Sequence, residues 1–306
     1  MSNSSWFSSF LLAAIIPALS AETHCPGNVA SVPFRHVNRY QIVLPVTINH
    51  AGPYDFLLDT GSEKTVVGPS LAAELHLTTR GAIMVSGAGF HESASFAQID
   101  SLETGFHAIV NQEVLVYGLM NLRSVDTHIR GILGEDFFRH FDLLIDNAHK
   151  LLCLDDSGAM RTDMKGMHTA LVTAAQATDG NPLPGLLIVS ARLSDGTPPV
   201  RLKLDSGTNA SLLYNTSGHM APRSFGGGGS AVGCGADGEE KVFSALPPQD
   251  VKIGSVRLPG VTFMTLALPP KDSRRTKFDG LLSMDLFRRV FINHADHYVV
   301  LEPWQE

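Results

Sequence analysis

The 306 residues include only three cysteines, Cys25, Cys153 and Cys234. So few exclude a disulfide-dense scaffold, and their spacing matches no metal-binding motif. One disulfide with one free thiol is open in an oxidising compartment, without the sequence choosing the pair. Within Leu151-Leu152-Cys153-Leu154, Cys153 reads by default as a small buried apolar residue. Basic side chains are outnumbered, 23 Lys and Arg against 30 Asp and Glu, for a formal charge of −7. With no basic patch to neutralise phosphates, a nucleic-acid partner is not expected. The chain has 13 histidines but no His-Glu-x-x-His, and His294-Ala295-Asp296-His297 reads as a solvated turn rather than a zinc site. Gly-x-Ser-x-Gly, the elbow that presents a serine nucleophile, is absent as well. Neither a metal nor another cofactor is called for.

Long apolar runs are also missing. The best candidate, Trp6 to Ile16, is broken by Pro17 and is short of the roughly 20 residues that span a bilayer. It is followed by Ala18-Leu19-Ser20-Ala21, small residues suited to signal-peptidase cleavage, although no Lys or Arg precedes it. Residues 1–21 read as a secretory signal, with a retained anchor as the alternative. The expected location is secreted or periplasmic, with no stable membrane contact after cleavage. The remainder, in a chain 44% hydrophobic and 17% charged, has an ordinary globular composition with material for two domains.

What the chain does have is two copies of one short pattern. Phe56-Leu57-Leu58-Asp59-Thr60-Gly61-Ser62 and Leu202-Lys203-Leu204-Asp205-Ser206-Gly207-Thr208 each end an apolar run in Asp, then place a hydroxyl residue, a Gly and a second hydroxyl. Glycine permits the tight loop and close approach that would present the carboxylate, and the following hydroxyl, Ser62 or Thr208, is placed to orient it. One such loop is ordinary turn chemistry. Two are different, because carboxylates within hydrogen-bonding distance cannot both ionise easily and share a proton instead. One is then a base and the other an acid at the same pH, which suffices to activate water on a peptide carbonyl.

A second repeated pattern supports the first. Gly131-Ile132-Leu133-Gly134-Glu135-Asp136-Phe137-Phe138 is answered by Gly280-Leu281-Leu282-Ser283-Met284-Asp285-Leu286-Phe287. Asp59 and Asp205 are 146 positions apart, Gly131 and Gly280 149. Two motifs in the same order at nearly the same offset mark an internal duplication. Over roughly residues 38 to 304 the chain resembles the aspartic proteases, with both lobes in one polypeptide as in pepsin-like enzymes and short lobes like those of retropepsins. Two positions depart from that pattern: Lys203 stands where an apolar or small residue is usual, and Ser283 where Gly is.

The resemblance implies an all-β bilobal acid-protease fold, with two homologous β-barrel-like lobes and one Asp from each. Asp59 and Asp205 would be catalytic, Thr60 and Ser206 would tie the loops together, Gly61 and Gly207 would shape them, and Ser62 and Thr208 would tune the carboxylates. Gly87, Ala88, Gly89 and Phe90 would form the tip of a flap over substrate, Phe90 being the nearest aromatic to the Tyr usual in pepsin-like enzymes. The expected division is an N-terminal segment at 22–38, lobe one at 39–156, a linker at 157–168 and lobe two at 169–306.

In lobe one, strands are expected at Tyr40 to Ile48 and Tyr54 to Leu58 around a turn at Asn49 to Pro53, with a short helix over Pro69 to Leu77. Hairpins at Phe141 to Leu154 and Val290 to Leu301 form a third matched pair. In Val200 to Leu204, Arg201 and Lys203 alternate with apolar residues, so Lys203 reads as part of a wet face outside the site. Gly226 to Gly229 reads as a mobile connection.

The function expected is an aspartic endopeptidase, monomeric, with a peptide or protein substrate. The alternatives are a peptide-binding protein with a protease-like cleft, and a processing protease with one narrow client. Because residues 22–38 are too short to cover a cleft, activity is expected without extensive processing. A mature chain starting at Ala21 or Glu22 that stays inert until trimmed would contradict that.

Overall fold

A computed structural model describes residues 24–38, 41–87, 90–172, 186–194, 196, 198–214, 230–234, 240–266 and 278–304. The expected signal segment, Ala88 and Gly89 of the flap tip, and Gly226 to Gly229 lie outside these residues.

Three sheets organise the described residues. Lobe one is an eight-stranded sheet in the order Arg35–Val37, Gln41–Ile48, Ala51–Leu58, Ile129–Leu133, Val66–Val67, His107–Val116, Phe90–Thr104 and Thr79–Gly87. It curls on itself, because Gln41–Ile48 also pairs with Phe90–Thr104. Lobe two is a nine-stranded sheet whose middle runs Ser211–Tyr214, Gly280–Ser283, Val200–Asp205 and Ile188–Leu193. The duplication is visible in the pairing. Ala51–Leu58 lies parallel to Ile129–Leu133 with Phe56 opposite Gly131, and Val200–Asp205 lies parallel to Gly280–Ser283 with Leu202 opposite Gly280. These are the two strands that end at the Asp loops.

The third sheet belongs to both halves, in the order Ser31–Pro33, Leu151–Asp155, Asp142–Asp146, Phe287–Asn293, Tyr298–Pro303 and His168–Ala170. The two expected terminal hairpins meet at its centre, with Leu143 opposite Ile292 and Ile145 opposite Val290. Period-two alternation gives it two dry faces. Leu143, Ile145, Leu152, Leu154, Val290 and Ile292 face the main core that runs through both lobes. Leu144, Cys153, Phe291 and Val300 face a smaller core with Cys25, Met160 and Met164.

That smaller core explains several departures from expectation. Residues read as a linker carry the helix Ala159–Asp163 and end at His168, the first residue of the strand His168–Ala170; helix and strand cover and extend the shared sheet. Part of the N-terminal segment, Ser31–Pro33, is an edge strand of the same sheet. Cys153 is not a lone buried thiol: it is bonded to Cys25, 128 residues away. A cross-link over so long a loop restricts the unfolded chain by about 5 kcal/mol in the chain-entropy account. Locally, the helix Pro69–Glu74 is shorter than expected and buries Leu71 and Ala72. The first hairpin turns tightly at Asn49-His50, both at positive φ, so that Ala51 to Pro53 are strand rather than turn.

Side chains also cross between the halves beneath the shared sheet. Asn147 donates to the carbonyls of Met284 and Phe287 at 3.2 and 3.0 Å. His294 does sit in a turn, but it is not solvated. Its side chain is 11% exposed, with Nε2 3.1 Å from Glu135 Oε2 and Nδ1 2.7 Å from the carbonyl oxygen of Phe141. Both ring nitrogens face acceptors, so the imidazolium fits and a neutral ring leaves one contact without a proton. Burial pushes its pKa down, but the hydrogen bond and charge of Glu135, the Phe141 carbonyl and Asp142 outweigh burial and raise it.

A group whose pKa is raised on folding contributes stability that is complete below its unfolded pKa and is lost as pH rises through the folded value. The stability of the unmutated chain should therefore fall more steeply above about pH 6.5 than that of His294→Gln. Melting temperatures of both proteins from pH 5 to 9 test this; parallel curves would show that His294 does not titrate with folding.

Candidate active site

The Asp loops meet at the seam between the lobes because each strand that delivers one is buried at its loop end. Phe56, Leu57 and Leu58 are buried, as are Leu202 and Leu204. Each Asp then accepts backbone N–H bonds from its own loop. Gly61 N donates to Asp59 Oδ1 at 2.8 Å, while Gly207 N and Thr208 N donate to Asp205 Oδ1 at 2.8 and 3.0 Å.

The two loops are clasped reciprocally. Thr60 N donates to Ser206 Oγ and Ser206 N to Thr60 Oγ1, both at 3.1 Å. The hydroxyls donate in turn to carbonyls of the opposite strand, Thr60 Oγ1 to Leu204 O at 3.1 Å and Ser206 Oγ to Leu58 O at 2.9 Å. Thr60 is fully buried and Ser206 nearly so, which makes each of these bonds costly to leave unmade.

The glycines are required by proximity. A Cβ on Gly61 would collide with the carboxyl group of Asp205, and one on Gly207 with that of Asp59. Each loop thus rests its peptide against the other lobe's Asp. Ser62 and Thr208 act differently from the expectation. Their hydroxyls donate to Lys64 O at 2.8 Å and Ala210 O at 2.9 Å, so neither is spent on a carboxylate. Thr208 supports Asp205 through its backbone N–H instead.

The carboxyls of Asp59 and Asp205 are brought together at the seam, each lying against the glycine of the other loop. Burial, then the charge of Asp205, pushes Asp59 up to about 7 against the pull of Lys203 and of the Gly61 and Ser62 N–H groups. Burial raises Asp205 too, opposed by Lys203, by the Gly207 and Thr208 N–H groups and by Asp59 beside it. Asp59 is half-buried and Asp205 buried. The pair therefore holds one proton between two carboxyls and titrates as a unit.

Three neighbours were not foreseen. Lys203 is 5% exposed and donates from Nζ to the carbonyl of Gly61 at 2.5 Å, so it enters the site rather than lining a wet face. Residues two apart on a strand share a face, and that periodicity already aligned Lys203 with Asp205. Gln41 mirrors it, donating from Nε2 to the carbonyl of Gly207 at 3.0 Å. Tyr117 packs in a buried cluster with Leu57, Val66, Leu115 and Ile132, and burial, then the charge of Asp59, raises its pKa. No local pattern marks Gln41 or Tyr117, since both reach the site through tertiary contacts.

Around the loops the halves diverge where the sequence does. In lobe one Gly134 N donates to Thr65 Oγ1 at 3.3 Å, and a Cβ at Gly134 would strike the Lys64 backbone. In lobe two Ser283 N donates to Ser211 Oγ, and the Ser283 hydroxyl uses the extra room to donate to Thr208 O, both at 3.2 Å. The flap hairpin pairs from Thr79 opposite Ala97 to Gly87 opposite Phe90, whose backbones close the described ladder. Ala88 and Gly89 lie outside the described residues.

The architecture and the paired Asp loops define a class, the bilobal aspartic protease fold. A family model described as Aspartyl protease matches residues 44–137, which include both the Asp59 loop and the Gly131 segment. The structure is similar to the aspartic proteinase from Irpex lacteus, at 13% identity and a TM-score of 0.54, covering 90% of this chain and 97% of that one. A retropepsin-like aspartic protease from Rickettsia conorii matches at 17% identity and a TM-score of 0.31, covering 41% of this chain and 90% of that one. No curated protein matches the chain. The resemblance to the aspartic protease family is thus carried by the family model as well as by the all-β, two-lobed fold.

If the clasp binds the lobes, Ser206→Ala should destabilise the chain by about 1–3 kcal/mol, since it strands the buried Thr60 N–H and Leu58 carbonyl. Thr60→Val should cost a similar amount, and the double variant less than the sum of the two. Urea denaturation of all four proteins measures the coupling; strict additivity would show that the four bonds are independent.

Proposed function

We propose that the chain is an aspartic endopeptidase acting on an extended peptide held in the cleft between its lobes. The observation that carries this reading is the pair of carboxyls, one from each lobe, each held by its own loop's N–H groups and packed against the glycine of the other loop. A cleft that had kept only binding would have no need of this shared-proton geometry.

The chemistry follows from having one proton on two carboxyls. The ionised carboxylate removes a proton from a water held between them as its oxygen attacks the peptide carbonyl carbon. The protonated carboxyl gives its proton to the carbonyl oxygen, forming a neutral tetrahedral diol. In collapse the diol loses a hydroxyl proton to the carboxylate now free, and the amide nitrogen takes the other proton and leaves as amine. The dyad ends with the one proton it began with. Since both Asp residues come from one chain, the unit is complete as a monomer. The Cys25–Cys153 bond fits an oxidising, secreted or periplasmic location.

Cleavage of a diverse peptide mixture from pH 3 to 8 tests the reading. Activity should fall as pH rises through about 7, where the shared proton is lost. Asp59→Asn and Asp205→Asn should each lower kcat/KM by about 10²–10⁴-fold in a folded chain. A folded, unmutated chain that binds peptides yet cuts none would replace this reading with a binding protein, and the cut sites otherwise define the range of substrates.

A further inference from the structure

Lys203 is the group in this site that the dyad chemistry does not require. The strand Val200–Asp205 places it two residues ahead of Asp205, on the same face. The duplication pairs it with Leu57, which is 2% exposed in the apolar cluster of lobe one. Lobe two has its own such cluster, including Leu212, Phe278 and Leu281, and the Lys203 ammonium lies 5.5 Å from the centre of the Phe278 ring. The lysine stem thus fills the place of a leucine while its head crosses the lobe boundary to the Gly61 carbonyl.

A charge buried this deeply is unfavourable unless it is compensated. One carbonyl and one aromatic face are weak compensation for a full positive charge. A dyad with a single proton carries one negative charge, so lysine and dyad together are neutral. Gln41 makes the reciprocal contact to Gly207 with no charge, which places the only formal charge of this pair of cross-lobe ties on the lobe-two side.

We propose that Lys203 is a positioning and charge-balancing residue for the hydrolysis: it ties the Gly61 loop to lobe two and holds a fixed positive charge beside the singly protonated dyad. Its consequence is a working pH window lower than the two buried carboxyls would set by themselves. This rests on the endopeptidase reading, but the charge effect on the dyad is measurable without turnover. Both carboxyls are pulled down by Lys203 against the rise that burial imposes. Other ionisable groups near the dyad's elements among the described residues include Glu63 and Lys64, which follow the Asp59 loop, Tyr117, on which the charges of Asp59 and Glu92 act, and the Arg201–Asp279 pair on lobe two. They are unchanged by substitution at 203.

The test compares the unmutated chain with Lys203→Met, Lys203→Gln and Lys203→Arg in two readouts. One is the pH profile of kcat/KM on a cleaved peptide; the other is the titration of the dyad by ¹³C NMR of labelled aspartate in the folded chain. Losing the charge should raise both limbs of the profile, and both steps of the titration, by about 1–3 pH units. On the acid limb each unit of displacement lowers kcat/KM tenfold. Lys203→Arg should restore the native window even where its kcat is reduced. Lys203→Gln keeps a donor without the charge, so it carries the test if the Met variant fails to fold. Gln41→Met, which removes the neutral tie, should lower kcat/KM without moving the profile. If the neutral variants lose rate or stability while profile and titration superimpose on the native ones, Lys203 is only structural and the proposal is overturned. If the unmutated chain cuts no peptide, the endopeptidase reading fails, and the NMR titration alone decides whether Lys203 balances the dyad.

Discussion

Two carboxyl groups facing one another with little water around them form an arrangement that a protein does not reach by accident. Each desolvated carboxylate resists ionisation, and each resists it more for the presence of the other. Here the cost is contained by N–H donors from each loop, by the lysine from lobe two and by a proton held in common. None of this works unless the loops are held in contact. The Thr60 and Ser206 clasp holds them, and glycines at 61 and 207 allow that contact by leaving space for the opposite carboxyl.

The rest of the fold serves that seam. Parallel pairing of Phe56 with Gly131 and of Leu202 with Gly280 brings a buried strand end to the loop from each side. The six-stranded sheet joins the halves along Asp142–Asp146 and Phe287–Asn293, and the Cys25–Cys153 bond ties the N-terminal segment to its far face. Asn147 and His294 add polar ties between the halves. A site split between lobes is only as well placed as their docking, and here that docking is shared by backbone, side chains and a covalent bond.

The halves are not equal. Lobe one keeps leucine at position 57 and needs glycine at 134, where the Lys64 backbone leaves no room. Lobe two has lysine at 203 and serine at 283, and each gains a contact to a loop carbonyl, Gly61 O and Thr208 O respectively. The two departures from the family pattern are therefore both built into the site. They break the symmetry of the electrostatic field around a dyad whose backbone remains nearly symmetric.

Much of this was legible in the chain itself. The repeated Asp-hydroxyl-Gly-hydroxyl pattern, the second motif at nearly the same offset and the paired terminal hairpins were enough for a duplicated all-β fold, because strand periodicity and turn chemistry are local. The clasp by Thr60 and Ser206 was expected from the resemblance, and the structure shows its four bonds. What local patterns carry no record of is the partner a side chain meets. Ser62 and Thr208 have the hydroxyls that a carboxylate would attract, yet nearer carbonyls take them. His294 lies in a turn and is still buried, because Glu135 waits on the other lobe. Lys203 alternates like a wet residue, but the surface it faces is covered by the opposite Asp loop. The sequence by itself determined the strands, their duplication and the two loops, since these depend on neighbours along the chain. Only the tertiary structure decided the pairing of Cys25 with Cys153 and the positive charge beside the dyad, since both depend on which residues the docked halves bring face to face.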